Sequence, residues 1–489
     1  MTAASDQLFA LDDGEGEDDG QRPAIPAVAA GRQRTFRAYE PHQQFLLPPS
    51  IDDWLPEDHQ ARFIAEAVDE LLDLEAVYAS YVVAEGAPPY DPTMMLKLLL
   101  WGYSCGVTSS REMERRCGTD VAFRFLSANQ APDYRSIARF RRRHLSALDA
   151  LFVQTLALCA EAGLVTLGRV ALDGTKLRAS ASRHKAMSYD RLGPKIQEYE
   201  AQVRSLLEEA EAVDQAEDEA LGESRRGDEL PEGLARRQTR LEKLRAAKEA
   251  IEADARAKAA AKAAEKAKAA GKSDAEGQEA AERAAEKATP EGRAQRNFTD
   301  PESRMMKTTE GFHYAYNAQA VVDEEAQVVL AAHVTQAGGD LDQLFSMTDR
   351  MQENCVAAGI EDRPEVVLAD AGYCSEDNLA RAIDTETDML IATGRLQHTE
   401  RAPEAPRGPI PKNATHRQGM ARRLRTKKGR ADYARRKAIV EPAFGQMKVR
   451  QHAGFLRLRG LERAKGEWTL HALCHNLRKL ANTRAVAPA

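Results

Sequence analysis

Three acids in this 489-residue chain stand where a hard divalent cation could be held: Asp173, Asp370 and Glu441. Asp173 closes the apolar run Val170-Ala171-Leu172, and Asp370 closes Val366-Val367-Leu368-Ala369. Continuous apolar runs of this kind read as central strands buried on both faces. Ligands of open α/β sheets bind outside the carboxyl ends of such strands. Small residues follow each aspartate, Gly174 in one case and Ala371-Gly372 in the other, which leaves room for a ligand. Three carboxylates from separate elements suit Mg²⁺ or Mn²⁺, which take oxygen ligands. Two such ions ~4 Å apart would activate an attacking oxygen and stabilise a leaving one in phosphoryl transfer. Taken singly, each aspartate is better explained as a turn or helix cap. The trio beside a basic tail is what points to chemistry.

That tail is strongly biased: from 401 to 489 there are 22 Lys and Arg against 5 Asp and Glu, although the whole chain carries −7. Asymmetry of this size is a mark of a polyanion-binding surface. Around Glu441, a helix spanning about 430–450 would set Tyr433, Lys437, Glu441 and Lys448 on one face, with Arg436 at its edge. The bland alternative is a surface Lys437–Glu441 pair, worth only a few tenths of a kcal/mol. His471 and His475 are four apart on a helix, but no acid accompanies them as in a zinc protease, so packing explains them better. There is no P-loop, G-x-S-x-G or G-x-G-x-x-G motif, which removes nucleotide hydrolysis and serine-type acyl transfer.

The elements that must position these residues can be read in order. Residues 1–35 are acidic, without periodicity, and predict disorder. Residues 36–165 predict a helical domain, including an apolar helix from Met94 to Tyr103. Its short Ser110–Arg116 helix and the Arg-rich Ser136–His144 helix resemble a helix-turn-helix layout, with Arg139, Arg141 and Arg142 placed for DNA. The first strand lies in 166–184. Residues 185–299, rich in Ala, Lys and Glu, predict a helical insertion with a flexible middle around Gly271-Lys272-Ser273. In 300–450 the order is a hairpin (Phe312–Val322 and Gln327–Val334), a helix from Asp340 to Ala358, a strand ending at Asp370, a helix (Glu376–Ile383), a strand (Asp388–Ala392), a Pro- and Arg-rich stretch over 395–428, and the Glu441 helix. A C-terminal helical tail occupies 451–489, with its helix at 466–482. A hairpin followed by β-α-β units is a mixed α/β sheet.

No run of ~18 apolar residues occurs, so no membrane span is expected. The first residues lack a secretory pattern, and the six cysteines form no C-x-x-C pair, so a reducing cytoplasm is expected.

Leu172-Asp173-Gly-Thr-Lys, Leu368-Ala-Asp370-Ala-Gly-Tyr, and Asp300-Pro-Glu-Ser-Arg304-Met-Met-Lys307 leading into Tyr316-Asn317 together resemble a bacterial insertion-sequence DDE transposase over most of 36–482. The last helix is similar to that family's Tyr-Arg-Glu-Lys signature, carried here by Tyr433, Arg436, Glu441 and Lys448. The usual three-residue gap before the glutamate would put Lys437 in the arginine position. The resemblance implies an RNase H-like mixed sheet with a helical N-terminal domain and a helical insertion between strands 1 and 2. It implies metal held by Asp173, Asp370 and Glu441, as two Mg²⁺ or Mn²⁺ ions, and DNA backbone held by Tyr433, Arg436, Lys437 and Lys448, with Arg304 and Lys307 as further candidates. Cutting at inverted-repeat ends and transfer into target DNA, in a homodimer or larger assembly on the nucleoid, would follow. The alternatives are a nuclease of the same core that does not join strands and an inactive DNA-binding relative.

Overall fold

The apolar runs before Asp173 and Asp370 lie side by side in one mixed sheet. They belong to a computed structural model that describes residues 50–81, 89–221, 232–394, 408, 410–411 and 413–486. The acidic segment 1–35 and the start of the 395–428 stretch lie outside the described residues.

Ahead of the sheet come helices α1 (Gln60–Glu66), α2 (Pro92–Ser104), α3 (Ser110–Thr119), α4 (Val121–Leu126), α5 (Tyr134–Arg143) and α6 (Leu145–Glu161). The start of α2 is dictated locally. Pro92 sits in the first turn, where a missing N–H is harmless, and Asp91 Oδ1 accepts from the amides of Thr93 and Met94. Apolar over most of its circumference, α2 is buried except for the partly exposed line of Thr93, Lys97 and Trp101: Leu96, Leu98, Leu99 and Leu100 are at most 2% exposed. Asp133 caps α5 in the same way through Arg135 and Ser136, so the helix begins at Tyr134, before the expected Ser136.

The chain then forms β1 (Arg169–Arg178) and β2 (Ala186–Ser188), followed by the insertion helices α7 (Tyr189–Leu221), α8 (Glu232–Ala269) and α9 (Asp274–Glu286), and β3 (Gln295–Asn297). Next are β4 (Arg304–Thr308), β5 (Gly311–Asp323), β6 (Val329–Thr335), α10 (Gln343–Ala357), β7 (Val366–Ala369), α11 (Glu376–Ile383) and β8 (Asp388–Ile391). Helices α12 (His416–Arg425), α13 (Lys427–Ala434), α14 (Arg436–Arg450) and α15 (Leu461–Val486) complete it.

Strand order in the main sheet is β4-β5-β1-β7-β8, with β6 also on β5. β1 is its seam: antiparallel to β5 on one side and parallel to β7 on the other. The long β5 shares its far edge between β4, over Gly311–Ala315, and β6, from Asn317 onward. Val170 to Leu172 and Val366 to Ala369 are at most 5% exposed, so the unbroken apolar runs reflect burial on both faces. Helices α10, α14 and α15 pack against this sheet. Trp468 of α15 is fully buried, donates its indole N–H to Gln319 O and stacks on Phe444 of α14.

Four local expectations are corrected. The segment before the hairpin is itself a strand, β4, turning into β5 at Gly311, whose φ of +109° suits glycine. The middle of the insertion is a defined turn: Gly271 has φ +68°, and Lys272 N donates to Ala267 O, a Schellman-type stop to α8. The stretch 395–428 contains α12, started by a capping box of Thr415 and Gln418. The helix expected over 430–450 is two helices broken at Arg435, so Tyr433 and Glu441 do not share one continuous face.

The insertion leaves and returns through paired strands, with Ser188 opposite Gln295 and Ala186 opposite Asn297. It carries its own small core of Leu192, Ile196, Leu241, Leu244 and Ile251. Helix α14 contains Pro442, which cannot bond Ala438 O; Gln327 Nε2, from the β5–β6 turn, donates to that carbonyl instead.

Candidate active site

Leu172 of β1 pairs with Ala369 of β7, so Asp173 and Asp370 come next on two adjacent parallel strands. β7 stops at Ala369, while β1 runs on against β5, with Asp173 opposite Ala320. The ending of one strand beside the continuation of the other opens the crevice in which the acids sit. Asp370 Oδ1 caps the turn after β7 by accepting from Gly372 N at 2.8 Å. Asp173 Oδ1 accepts from Gly174 N at 2.8 Å, and its Oδ2 accepts from Arg436 of α14, also at 2.8 Å.

Burial pushes the Asp173 carboxyl above the usual aspartate range; Arg436 pulls it down and the neighbouring Asp370 adds to the rise. On Arg436 itself burial works against the charge, but Asp173, Tyr433 and Asp370 together outweigh it, and the guanidinium pKa is raised. Its Nε is buried and has no partner among the described residues. The half-buried Tyr433 hydroxyl lies against Arg436, and burial raises its pKa. Farther along α14, Lys448 Nζ donates to Thr175 Oγ1 on β1; burial lowers its pKa while Asp173 opposes the drop. Of the two candidates for the arginine position of the signature, the structure sets Arg436 on Asp173 and leaves Lys437 exposed.

Glu441 is not brought to the aspartates. It is exposed, and among the described residues no hydrogen bond or ion pair joins it to them. It precedes Lys448 by seven residues, two helical turns, so it shares the face from which Lys448 reaches β1. Among the described residues, no three His, Cys, Asp or Glu side chains stand close enough to hold one ion together. The donors at hand still suit a hard cation. The pair is all oxygen, and no hydrogen bond among the described residues reaches Asp370 Oδ2.

Sequence reading missed Asp340. It was placed at the start of a helix, but α10 begins at Gln343 and Asp340 lies in the loop after β6. Its Oδ1 accepts from Asn317 Nδ2 at 2.7 Å, Gln319 Nε2 at 2.8 Å and Lys176 Nζ at 3.3 Å. The available signal was Gly338-Gly339-Asp340, two glycines and an acid directly beyond a strand's carboxyl end. Tyr373 also went unnoticed. It is buried, donates to Gln319 Oε1, and its pKa is raised by burial and by Asp340, Asp173 and Asp370 together.

The remaining expected residues divide by exposure. Arg139 and Arg142 project from α5 into solvent, but Arg141 is 6% exposed and donates to Tyr103 Oη at 2.9 Å and Thr108 O at 2.8 Å. A guanidinium engaged in the interior has nothing to offer a phosphate. Arg304 is half-buried on β4, held by Asp254 and Gln336 and by the carbonyls of 301–303. Lys307 is exposed. His471 and His475 are fully buried and bonded to Gln451 and Gln327 O, which fits packing.

Residues 49–143 match a family model described as a transposase domain, and residues 287–477 match one described as a transposase DDE domain. Asp173 and most of the insertion lie outside both matches. No curated protein and no solved structure matches the chain.

Proposed function

The chain belongs to the insertion-sequence DDE transposases, and from that we propose that it cuts DNA at the inverted-repeat ends of an insertion sequence and transfers the freed strands to target DNA by two-metal phosphoryl transfer. Its core is the RNase H-like mixed sheet of that family, behind a helical region. No described helix is long and apolar enough to cross a membrane.

The observation that carries the reading is the convergence of β1, β7 and α14: aspartates at neighbouring positions of two adjacent strands, with Arg436 on Asp173 and Lys448 on Thr175 beside it, both from the helix that bears Glu441. Asp173 and Asp370 would hold Mg²⁺ or Mn²⁺, and Glu441 would complete the set as α14 closes over bound DNA. The chemistry such ions supply when bound is activation of an attacking oxygen and neutralisation of charge on the phosphate and the leaving oxygen. Arg436, charged and with its Nε unpartnered, would turn that N–H to a phosphate oxygen. Tyr433, aligned by Arg436, would hold the adjoining phosphate, and Lys448 and the exposed Lys437 would neutralise the strand on either side. Lys307 offers a further contact from β4, while Arg304 would first have to release Asp254. Phosphate contacts fix register, and sequence must be read elsewhere; the exposed Arg139 and Arg142 of α5 are the side chains proposed for it. A homodimer or larger assembly would hold two ends together.

The test uses the full chain, Mg²⁺ and oligonucleotides copied from the DNA flanking the gene. With pre-cut ends bearing 3′-OH groups, joined products in a target plasmid are expected. Asp370→Asn should bind the same DNA and neither cut nor join. Cutting without joining would leave a nuclease, and equal cutting by Asp370→Asn would refute the assignment of the acids.

A further inference from the structure

We propose that the insertion is an arm that lies along the DNA backbone, with Lys258, Lys262 and Lys266 of α8 as its contact row; this rests on the functional reading above. The second half of α8 packs against α9 as an antiparallel pair. Their seam is alanine. Ala267 is buried, Ala255, Ala259 and Ala263 are half-buried, and a Cβ on Gly277 of α9 would lie 3.8 Å from that of Ala267. Every Lys, Arg, Glu and Gln from Arg256 to Lys287 is exposed. The signs of these charges are sorted. Lys258, Lys262 and Lys266 each precede a seam alanine by one residue, so they line one flank in a row that rises about 6 Å per step. When two helices run antiparallel, the residues preceding their seam positions fall on one common face. From α9 that face receives Arg283 and Lys287, which precede Ala284 and Ala288. Arg283 shares its charge with Glu279 at 2.7 Å, and Glu276, at the tip, is taken up by the Ser273 capping box. Glu265, Glu282 and Glu286 fall on the outer and opposite faces by the same helical spacing.

Nearer the core the insertion mixes its charges: Lys195 pairs with Glu198, Arg245 with Glu200 and Lys248 with Glu252. The row does not. Lys262 has a lysine four residues away on either side, a spacing at which like charges destabilise a helix. No hydrogen bond or ion pair among the described residues relieves the three ammonium groups. Asp254, four residues before Lys258, is held by Arg296 at 2.5 Å and Arg304 at 3.2 Å. A polyanion laid along the row removes the repulsion. A groove of about 530 Å³ runs beside Lys258 and Lys262 to Arg304 at the edge of the main sheet, with Glu291 as its other acid, so the row leads from the arm towards the core. Duplex DNA carries a negative charge per ~1.7 Å of its axis, which three lysines spread over about 12 Å can meet without touching a base. The contact is therefore blind to sequence.

The experiment measures binding of the full chain to a fluorescent DNA duplex of arbitrary sequence by anisotropy, between about 50 and 200 mM salt. The test variant carries Lys258→Gln, Lys262→Gln and Lys266→Gln together. Glutamine keeps the helix propensity of lysine, and circular dichroism checks the helix content. The control carries Arg256→Gln and Lys268→Gln, two exposed cations that each follow a seam alanine and so lie on the opposite flank. The slope of log K against log salt should become shallower by about 2.7 in the triple variant, roughly 0.9 for each phosphate released, and stay at the parent value in the control. The triple variant should show the same change on a duplex copied from the DNA flanking the gene. An unchanged slope in the triple variant, or an equal change in the control, overturns the inference and leaves the functional reading standing. So does a triple variant that binds DNA as the parent does but loses self-association in sedimentation, which would make the partner of this face a second copy of the chain. A parent that binds no duplex at any of these salt concentrations overturns the functional reading, and the inference with it.

Discussion

Replacing Arg436 with Gln removes, among the described residues, the one cation bonded to Asp173. The pair is well shielded, with side-chain exposures of 10% and 22%. At an effective dielectric near 20, two unit charges in such contact attract by roughly 4–6 kcal/mol, much of it offset by desolvation. Deleting the guanidinium leaves the carboxylate buried and unpaired, at a cost of about 3 kcal/mol, and pushes still higher a carboxyl that burial already raises. The sign follows. A carboxyl whose folded pKa lies above its unfolded value favours the fold while protonated and loses that contribution as pH rises through the folded value. Urea denaturation should therefore show a deficit of about 2–3 kcal/mol for Arg436→Gln at pH 7.5 that shrinks towards pH 5. Asp173→Asn in the same protein should recover most of it, giving a coupling energy well above 1 kcal/mol. Millimolar Mn²⁺ should stabilise Arg436→Gln more than the parent, because the ion takes over the neutralising role. A deficit that is flat in pH and untouched by Asp173→Asn would refute this account of the pair.

Gly372→Ala should cut DNA cleavage at least tenfold with a stability loss of only about 1–2 kcal/mol, since the added methyl displaces carboxylates rather than core atoms; parallel activity and urea titrations check it. Arg141→Ala should cost about 2–4 kcal/mol of stability by stripping Tyr103 and Thr108 of their partner. Arg139→Ala and Arg142→Ala should stay within about 0.5 kcal/mol of the parent and weaken DNA retention in gel shifts. Burial holds His475 and His144 neutral down to about pH 4, and Arg143 adds to the effect at His144. The unfolded chain takes up those protons near pH 6.5, so stability is full above that value and falls as pH drops towards 4, by about 1.4 kcal/mol per pH unit for each histidine. Equal urea midpoints at pH 7.5 and 5 would contradict it.

What the sequence discloses of this fold is what local physics decides. Val170 to Leu172 and Val366 to Ala369 had to be inner strands because no alternation of polar residues offers them a wet face. Asp370 then falls at a strand end as expected, whereas Asp173 lies within β1, which continues to Arg178 along β5, and Arg436 and Lys448 could be placed nearby by helical spacing and resemblance. Asp340 was hidden because its importance comes from Asn317, Gln319 and Lys176, three donors gathered only when β1 and β5 pair. Arg141 misled for the complementary reason. Three arginines in a row look alike in sequence, and only the packing of α2 against α5 shows that one faces Tyr103. The break at Arg435 carries no glycine or proline to announce it.

The doorway formed by Ser188 and Gln295 has a consequence for how such a protein can change. Chain that exits and re-enters at neighbouring positions can be lengthened, shortened or exchanged without altering the registry of anything beyond the threshold. The thermodynamics permit it as well: doubling or halving a loop alters its closure entropy by only about 0.6 kcal/mol. Helices α7 to α9 are thus a graftable appendage with a core of their own, and a short turn linking Ser188 to Gln295 should leave the two aspartates undisturbed.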